Sequence, residues 1–245
     1  MLILINLASA TERRQHMEEQ FKALGVSFQT VGVDLRGCSR EQARAVAVRH
    51  RPGIEFDFAS LSTAEVGCWV SHLAAWQLML NSDHGDFCTV VEDDVRLAPD
   101  FVAVVSALQV RTTYDVVYLG TSSRNLSTRR KTRIGSLLLH EPVGAIFNTW
   151  GYTIARRYAE RILGLERLRV DQPIDHFLGG KRGHCRPRIA VLQPPVAEED
   201  PALGVASQIE PYTRRIDRWR IVERARRRLL SSHVCTLYYS LYRFL

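Results

Sequence analysis

Apolar positions in this chain repeat with two different periods, and the periods alternate along its length. Leu2 to Leu7 is a short, nearly continuous apolar run, as a buried strand requires; Thr11 to Leu24 carries Met17, Phe21 and Leu24 at helical spacing; Ser27 to Val33 returns to a strand-like run that enters Asp34. That order predicts a βαβ unit. Ser62 stands three residues before Glu65 in a capping box, and Val66, Val70, Leu73, Trp76 and Leu80 follow at spacings of three and four, which predicts a helix over 63–81. Phe87 to Val91 reads as a strand covered on both faces, and it runs directly into the acidic triplet Glu92-Asp93-Asp94.

The second half continues the alternation. Helices are predicted at 99–108, 155–163 and 174–178, strands at 114–119 and 188–192, and one or two strands within 136–147. Two stretches read as loops: 122–133, with Arg124, Arg129, Arg130, Lys131 and Arg133 among Ser, Thr and Asn, and 194–207, rich in Pro and acid. No internal repeat interrupts this order. The pattern predicts an α/β domain with a mainly parallel central sheet, followed by a basic, aromatic helical tail over 210–245.

Composition narrows the class. With 46% hydrophobic and 24% charged residues the chain is an ordinary globular one, and no apolar run reaches the roughly 18 residues of a membrane span. The formal charge of +7 is concentrated: between Arg214 and Leu230 eight arginines face only Asp217 and Glu223, so the remainder is nearly neutral. A nucleic-acid footprint across a folded face is therefore not expected. Trp219, Ile221, Leu229 and the terminal Tyr238, Tyr239, Tyr242 and Phe244 accompany those arginines, a combination suited to an anionic membrane surface or to a helix docked on the domain. Five cysteines without a CxxC pair, and an N-terminus without the design of a secretory signal, lead us to expect free thiols, a cytoplasmic location and peripheral attachment to the inner face of the cytoplasmic membrane.

Ligands of open parallel sheets bind beyond the carboxyl ends of the strands, where Glu92, Asp93 and Asp94 fall. Three adjacent carboxylates repel one another, and a hard divalent cation that also carries a diphosphate relieves the repulsion. The competing reading is structural, with one Asp capping a turn and Glu92 facing solvent.

Further segments accompany the triplet. Ile5-Asn-Leu7 with Arg13-Arg14, Val31-Gly-Val-Asp34, Glu65-Val-Gly-Cys-Trp-Val-Ser-His-Leu73, Val90-Val-Glu-Asp-Asp-Val95, Gly151-Tyr152 and Pro173-Ile-Asp175 together resemble the family 25 glycosyltransferases over about residues 1–209. That family includes bacterial lipooligosaccharide galactosyltransferases and collagen galactosyltransferases. The resemblance implies a GT-A type, Rossmann-like domain over 1–209, a UDP-sugar donor, usually UDP-galactose, Mn²⁺ or Mg²⁺, and inversion at the sugar carbon. It places the metal on Asp94 with Glu92, and the nucleotide sugar near Asn6, Leu7, Arg13, Arg14, Asp34, Glu65, His72, Glu92 and Asp93.

Each of these residues also has an ordinary structural reading. Glu65 completes a capping box, His72 can satisfy core hydrogen bonds, Arg13 and Arg14 can lie on a solvated helix face, and Asp34 can serve a turn. An inverting transfer needs a carboxylate to take the acceptor hydroxyl's proton, for which Asp175 is the candidate and Asp171 its competitor. Trp150, Gly151 and Tyr152 are candidates for acceptor binding, because the aromatic rings can stack on a sugar and glycine permits close approach; core packing is the alternative. The reading is a transferase that moves a hexose, galactose first, to a terminal sugar of lipooligosaccharide or a related glycolipid. Glucose or another hexose, and a catalytically silent glycan- or membrane-binding module, are its rivals.

Overall fold

The computed structural model describes residues 1–83, 85–122, 126–180 and 186–203; the tail expected over 210–245 lies outside them. The first three elements are the expected βαβ unit: β1 (Leu2–Ile5), α1 (Thr11–Leu24) and β2 (Gln29–Val31), with β1 and β2 parallel and Ile3 opposite Gln29. Gly25 stops α1 by adopting a left-handed φ of 65°, which a side chain would resist. Next come α2 (Arg40–His50) and β3 (Ile54–Phe56), which the sequence reading did not anticipate although Ser39 and Gln42 form a capping box at the start of α2. The predicted long helix is α3 (Thr63–Leu80), with Ser62 and Glu65 reciprocally bonded at its N-terminus.

The order continues with β4 (Phe87–Glu92), β5 (Val95–Leu97), α4 (Phe101–Arg111), β6 (Val116–Gly120), β7 (Leu126–Ile134), β8 (Leu137–Pro142), β9 (Gly151–Ala155), α5 (Arg156–Leu163), β10 (Leu168–Val170), α6 (Ile174–Gly179), β11 (Ile189–Gln193) and β12 (Ala197–Glu199). Eight strands form one sheet in the order β2-β1-β4-β9-β6-β11-β8-β7. It is a mixed sheet rather than a mainly parallel one. β1 is parallel to β2 and β4, and β6 to β11, but β9 runs antiparallel between β4 and β6, and β8 and β7 extend the edge antiparallel. The whole of β9 is buried, and a strand covered on both faces has the same sequence pattern in either direction. The expected loop 122–133 is corrected as well, since 126–134 is an edge strand whose Arg129, Arg130, Lys131 and Arg133 are exposed. Such charge reads as loop in sequence and protects a free edge in structure.

Alternation along the strands builds a core on each face of the sheet. Ile3, Ile5, Cys88, Val90, Val116, Tyr118, Tyr152, Ile154 and Val191 join Trp69, Val70, Leu73 and Trp76 of α3 in one cluster. Leu4, Val91, Val117, Leu119, Ala190 and Leu192 point the other way and meet Met17 and Phe21 of α1 with Phe101, Val104 and Leu108 of α4. The helices are thereby fixed on the two faces, and the ends of β1 and β4 lie level, with Ile5 opposite Glu92. Asn6 and Asp93, one residue beyond each strand, become neighbours.

Candidate active site

Asn6 Nδ2 donates to Asp93 Oδ2 at 2.7 Å and to the Ala10 carbonyl at 3.1 Å. Arg13, in the first turn of α1, reaches across to Asp93 Oδ1 at 3.0 Å and Asp94 Oδ2 at 3.5 Å. Asp94 Oδ1 is buried and accepts no hydrogen bond among the described residues. Burial, reinforced by the charges of Glu92 and Asp93 and only partly offset by Arg13, pushes Asp94 up to about 7. Burial also raises Asp93, against the opposing pull of Asn6 and Arg13. Two carboxylates held in this way favour a proton or a cation at the strand ends.

Glu92 is held from the opposite side. Its Oε1 accepts from Thr149 Oγ1 and lies 3.5 Å from His72 Nε2, and although burial raises the carboxyl, His72, Thr149 and Arg13 outweigh it and hold Glu92 below its ordinary value. His72 is fully buried, and its Nδ1 lies 2.8 Å from the Tyr152 hydroxyl, which Trp76 Nε1 approaches at 2.9 Å. An indole N–H can only donate, so the Tyr152 oxygen accepts it and the hydroxyl proton is available to His72 Nδ1. A neutral imidazole then carries its proton on Nε2, toward Glu92. The line Trp76, Tyr152, His72, Glu92 thus transmits the orientation of a core indole to the end of β4.

The remaining candidates separate into those near this cluster and those elsewhere. The Leu7 carbonyl accepts from the Ala10 N–H in the turn that leads into α1. Arg14 pairs with Glu18 on the exposed face of α1, at 2.8 Å, which is the solvated arrangement. Asp34 is clasped by Arg36, which lowers its carboxyl, and Arg36 also donates to Ser9. Glu65 spends Oε2 on the backbone and hydroxyl of Ser62. Tyr152 is entirely buried and exposes no ring face to a sugar; Gly151 packs against Val91, Leu119 and Ala197; the half-buried Trp150 lies against the α1/α4 core while its carbonyl accepts from the Glu92 N–H. Burial between two sheet neighbours assigns Tyr152 and Gly151 to packing.

Asp175 opens α6, where Oδ1 accepts from the His176 N–H at 2.8 Å and Oδ2 from the Asn148 N–H at 3.2 Å. Asn148, with φ 67°, thus joins the segment that carries Thr149 to the start of α6. Asp171 is exposed beyond β10 and forms no hydrogen bond to these groups among the described residues. Sequence reading missed Thr149, whose only signal was its polarity, and gave Trp76 a place only in the apolar stripe of α3. Ser71, read as able to satisfy core hydrogen bonds, accepts from the Val33 N–H, and with the close approach of Gly67 to the Val33 carbonyl this seats α3 against the end of β2.

A family model described as glycosyltransferase family 25 (LPS biosynthesis protein) matches residues 1–178, which contain every group of this cluster. The chain belongs to glycosyltransferase family 25. A glycosyltransferase 25 family member of Drosophila melanogaster is 28% identical over 184 residues, covering 72% of this chain and 30% of its own length. Procollagen galactosyltransferase 1 of Danio rerio is 27% identical over 190 residues, with 72% and 30% covered. A Bos taurus relative named probable inactive glycosyltransferase 25 family member 3 is 25% identical over 185 residues, with 72% and 31% covered. This family 25 chain therefore spans under a third of the length of these relatives. Among solved structures, a glycosyltransferase involved in the glycosylation of the major capsid of PBCV-1 shares 12% identity over 65% of this chain and 61% of its own, at a TM-score of 0.31 that carries no weight for the fold.

Proposed function

We propose that this family 25 chain is an active, metal-dependent, inverting glycosyltransferase of GT-A type that moves a hexose, galactose first, from a UDP-sugar to a terminal sugar of lipooligosaccharide or a related glycolipid. The observation that supports it is Asp94 Oδ1, a buried carboxylate oxygen with no hydrogen-bond partner among the described residues, beside Glu92 and Asp93 at the ends of β1 and β4. Unrelieved, that placement is costly; beside a cation it is favourable. Asp94 and Glu92 would hold Mn²⁺ or Mg²⁺, and the oxygen donor set suits either ion. Such an ion, when bound, offsets the charge of a departing diphosphate.

The chain's own groups have distinct parts. Asn6 and Arg13 fix Asp93, so that Asp93 can face the nucleoside while Arg13 adds positive charge near the phosphates. His72 and Thr149 keep Glu92 ionised and oriented. Asp175 is the proposed base: each of its oxygens accepts one backbone N–H, which leaves lone pairs for an acceptor hydroxyl and holds the carboxylate still. Attachment to the inner face of the cytoplasmic membrane through the basic 210–245 segment completes the reading. Purified protein incubated with UDP-galactose and a lipid-free oligosaccharide should release UDP only with divalent cation present. Loss of cation dependence would remove the metal, and absence of release with every UDP-sugar would favour a silent glycan-binding module.

A further inference from the structure

Beside the proposed hard-cation centre lies a second set of ligand atoms, which shares Glu92 with that centre and adds Cys68 and His72. Cys68 and His72 are four residues apart on α3 and so share one face, and Glu92 enters the same space from the end of β4. The cysteine Sγ, a ring nitrogen of the histidine and a carboxylate oxygen all lie within 4.8 Å of one another. Among the described residues His72 Nε2 has no hydrogen-bond partner although the residue is fully buried, and its 3.5 Å separation from Glu92 Oε1 is close to the ligand-to-ligand edge of about 3.4 Å in a tetrahedron with bonds of about 2.0–2.1 Å. The other ring nitrogen is held by Tyr152, in the pattern by which an outer partner orients a metal-bound imidazole.

We infer that Cys68, His72 and Glu92 form a binding site for a thiophilic divalent cation of the Zn²⁺ or Cd²⁺ class, distinct in chemistry from the oxygen-only centre at Asp94. One thiolate, one imidazole and one carboxylate select a borderline or soft ion over Mg²⁺ or Mn²⁺ and leave a fourth position open to water. Binding at Nε2 releases the thiol proton to solvent and shifts the imidazole proton from Nε2 to Nδ1, where it faces the Tyr152 oxygen. Because Glu92 belongs to both sets, the soft cation withdraws it from the hard-cation centre. That second consequence rests on the transferase reading and predicts inhibition.

The test is a Cd²⁺ titration of the reduced, chelator-stripped full chain carrying Cys185→Ser and Cys235→Ser, followed by the ultraviolet thiolate-to-metal charge-transfer absorption. One equivalent should give a saturable band that persists in Cys38→Ser and Cys88→Ser and disappears in Cys68→Ser. Tyr152→Phe, which keeps all three ligands and loses only the outer partner, should weaken binding by about 10–100-fold. A band retained in Cys68→Ser, or none at saturating Cd²⁺, overturns the site whatever the activity. A Cys68-dependent band with no UDP release under any condition upholds the site and refutes the transferase reading instead.

Discussion

The Tyr152 hydroxyl lies 2.8 Å from His72 Nδ1 and 2.9 Å from Trp76 Nε1, so the second residue of β9 sets the orientation of a histidine that faces the carboxylate at the end of β4. Tyr152→Phe keeps the ring and removes the hydroxyl. It should cost about 1–3 kcal/mol of stability, because two buried polar atoms lose their partner, and a shift in denaturant midpoint measures that loss. Activity should fall further than stability explains, with kcat reduced more than donor KM, since Glu92 loses orientation rather than contact with donor. Equal kcat in the two proteins would sever the relay from catalysis.

Asp94 gives a pH signature. In the folded protein its carboxyl sits near 7, above its ordinary 3.8, so the protonated form favours folding. That contribution is complete below about pH 4 and is lost as pH rises through about 7. Cation-free protein should accordingly lose Tm between about pH 5 and pH 8, and Mn²⁺ should restore more Tm at the higher value. Asp94→Asn should flatten both effects and lower turnover by about two or more orders of magnitude, as loss of several kcal/mol of charge stabilisation implies. An unchanged Mn²⁺ shift in Asp94→Asn would place the ion elsewhere.

Asp175→Asn preserves shape and removes proton acceptance. Transfer to acceptor should slow by about 10²–10⁴-fold while UDP binding, measured by calorimetry, stays within a few fold. A near-normal rate would pass the role to another carboxylate, with Asp171 the first to test.

Gly32 tests the geometry that brings Asn6 to Asp93. A Cβ at this position would lie 2.0 Å from the Asn6 carbonyl oxygen, so Gly32→Ala must displace the turn after β1. Stability should fall by about 1–3 kcal/mol, and cation affinity should fall with it as Asp93 loses Asn6. Destabilisation without a change in cation binding would separate the turn from the site.

Most of the framework was legible because it depends on local signals. The Ser62–Glu65 box and the apolar spacing of Val66, Val70, Leu73 and Trp76 define α3 without help from the rest of the chain, and the buried run 87–91 leads to the triplet. Strand direction was not legible. Gly151 to Ala155 has the same composition whether it runs with or against β4, and its antiparallel entry follows from the irregular 143–150 segment, which carries Thr149 to Glu92. The site was visible as acidic charge and invisible as a network. Nothing in the sequence distinguished Arg13, which crosses to Asp93, from Arg14, which pairs with Glu18; one position of helical phase separates them. Tyr152 looked like an aromatic available to a sugar for the same reason, since burial depends on both sheet neighbours.

The 210–245 segment gives an experiment independent of the site. Each arginine near an anionic surface contributes about 1 kcal/mol, and screening acts within about 8 Å at physiological ionic strength, so vesicle binding should be firm at low salt and weaken as salt rises. Truncation after Arg214 should abolish cosedimentation with anionic vesicles and leave transfer to a lipid-free acceptor within a few fold. Equal binding to neutral and anionic vesicles would remove the membrane role.

The most direct test of the central claim is the mass of an oligosaccharide acceptor after incubation with UDP-galactose, with Mn²⁺ or with EDTA, for the unmodified chain and Asp94→Asn. The acceptor should gain one hexose only with the unmodified chain and Mn²⁺. Hexose gained equally in EDTA, or by Asp94→Asn at the unmodified rate, would contradict the account.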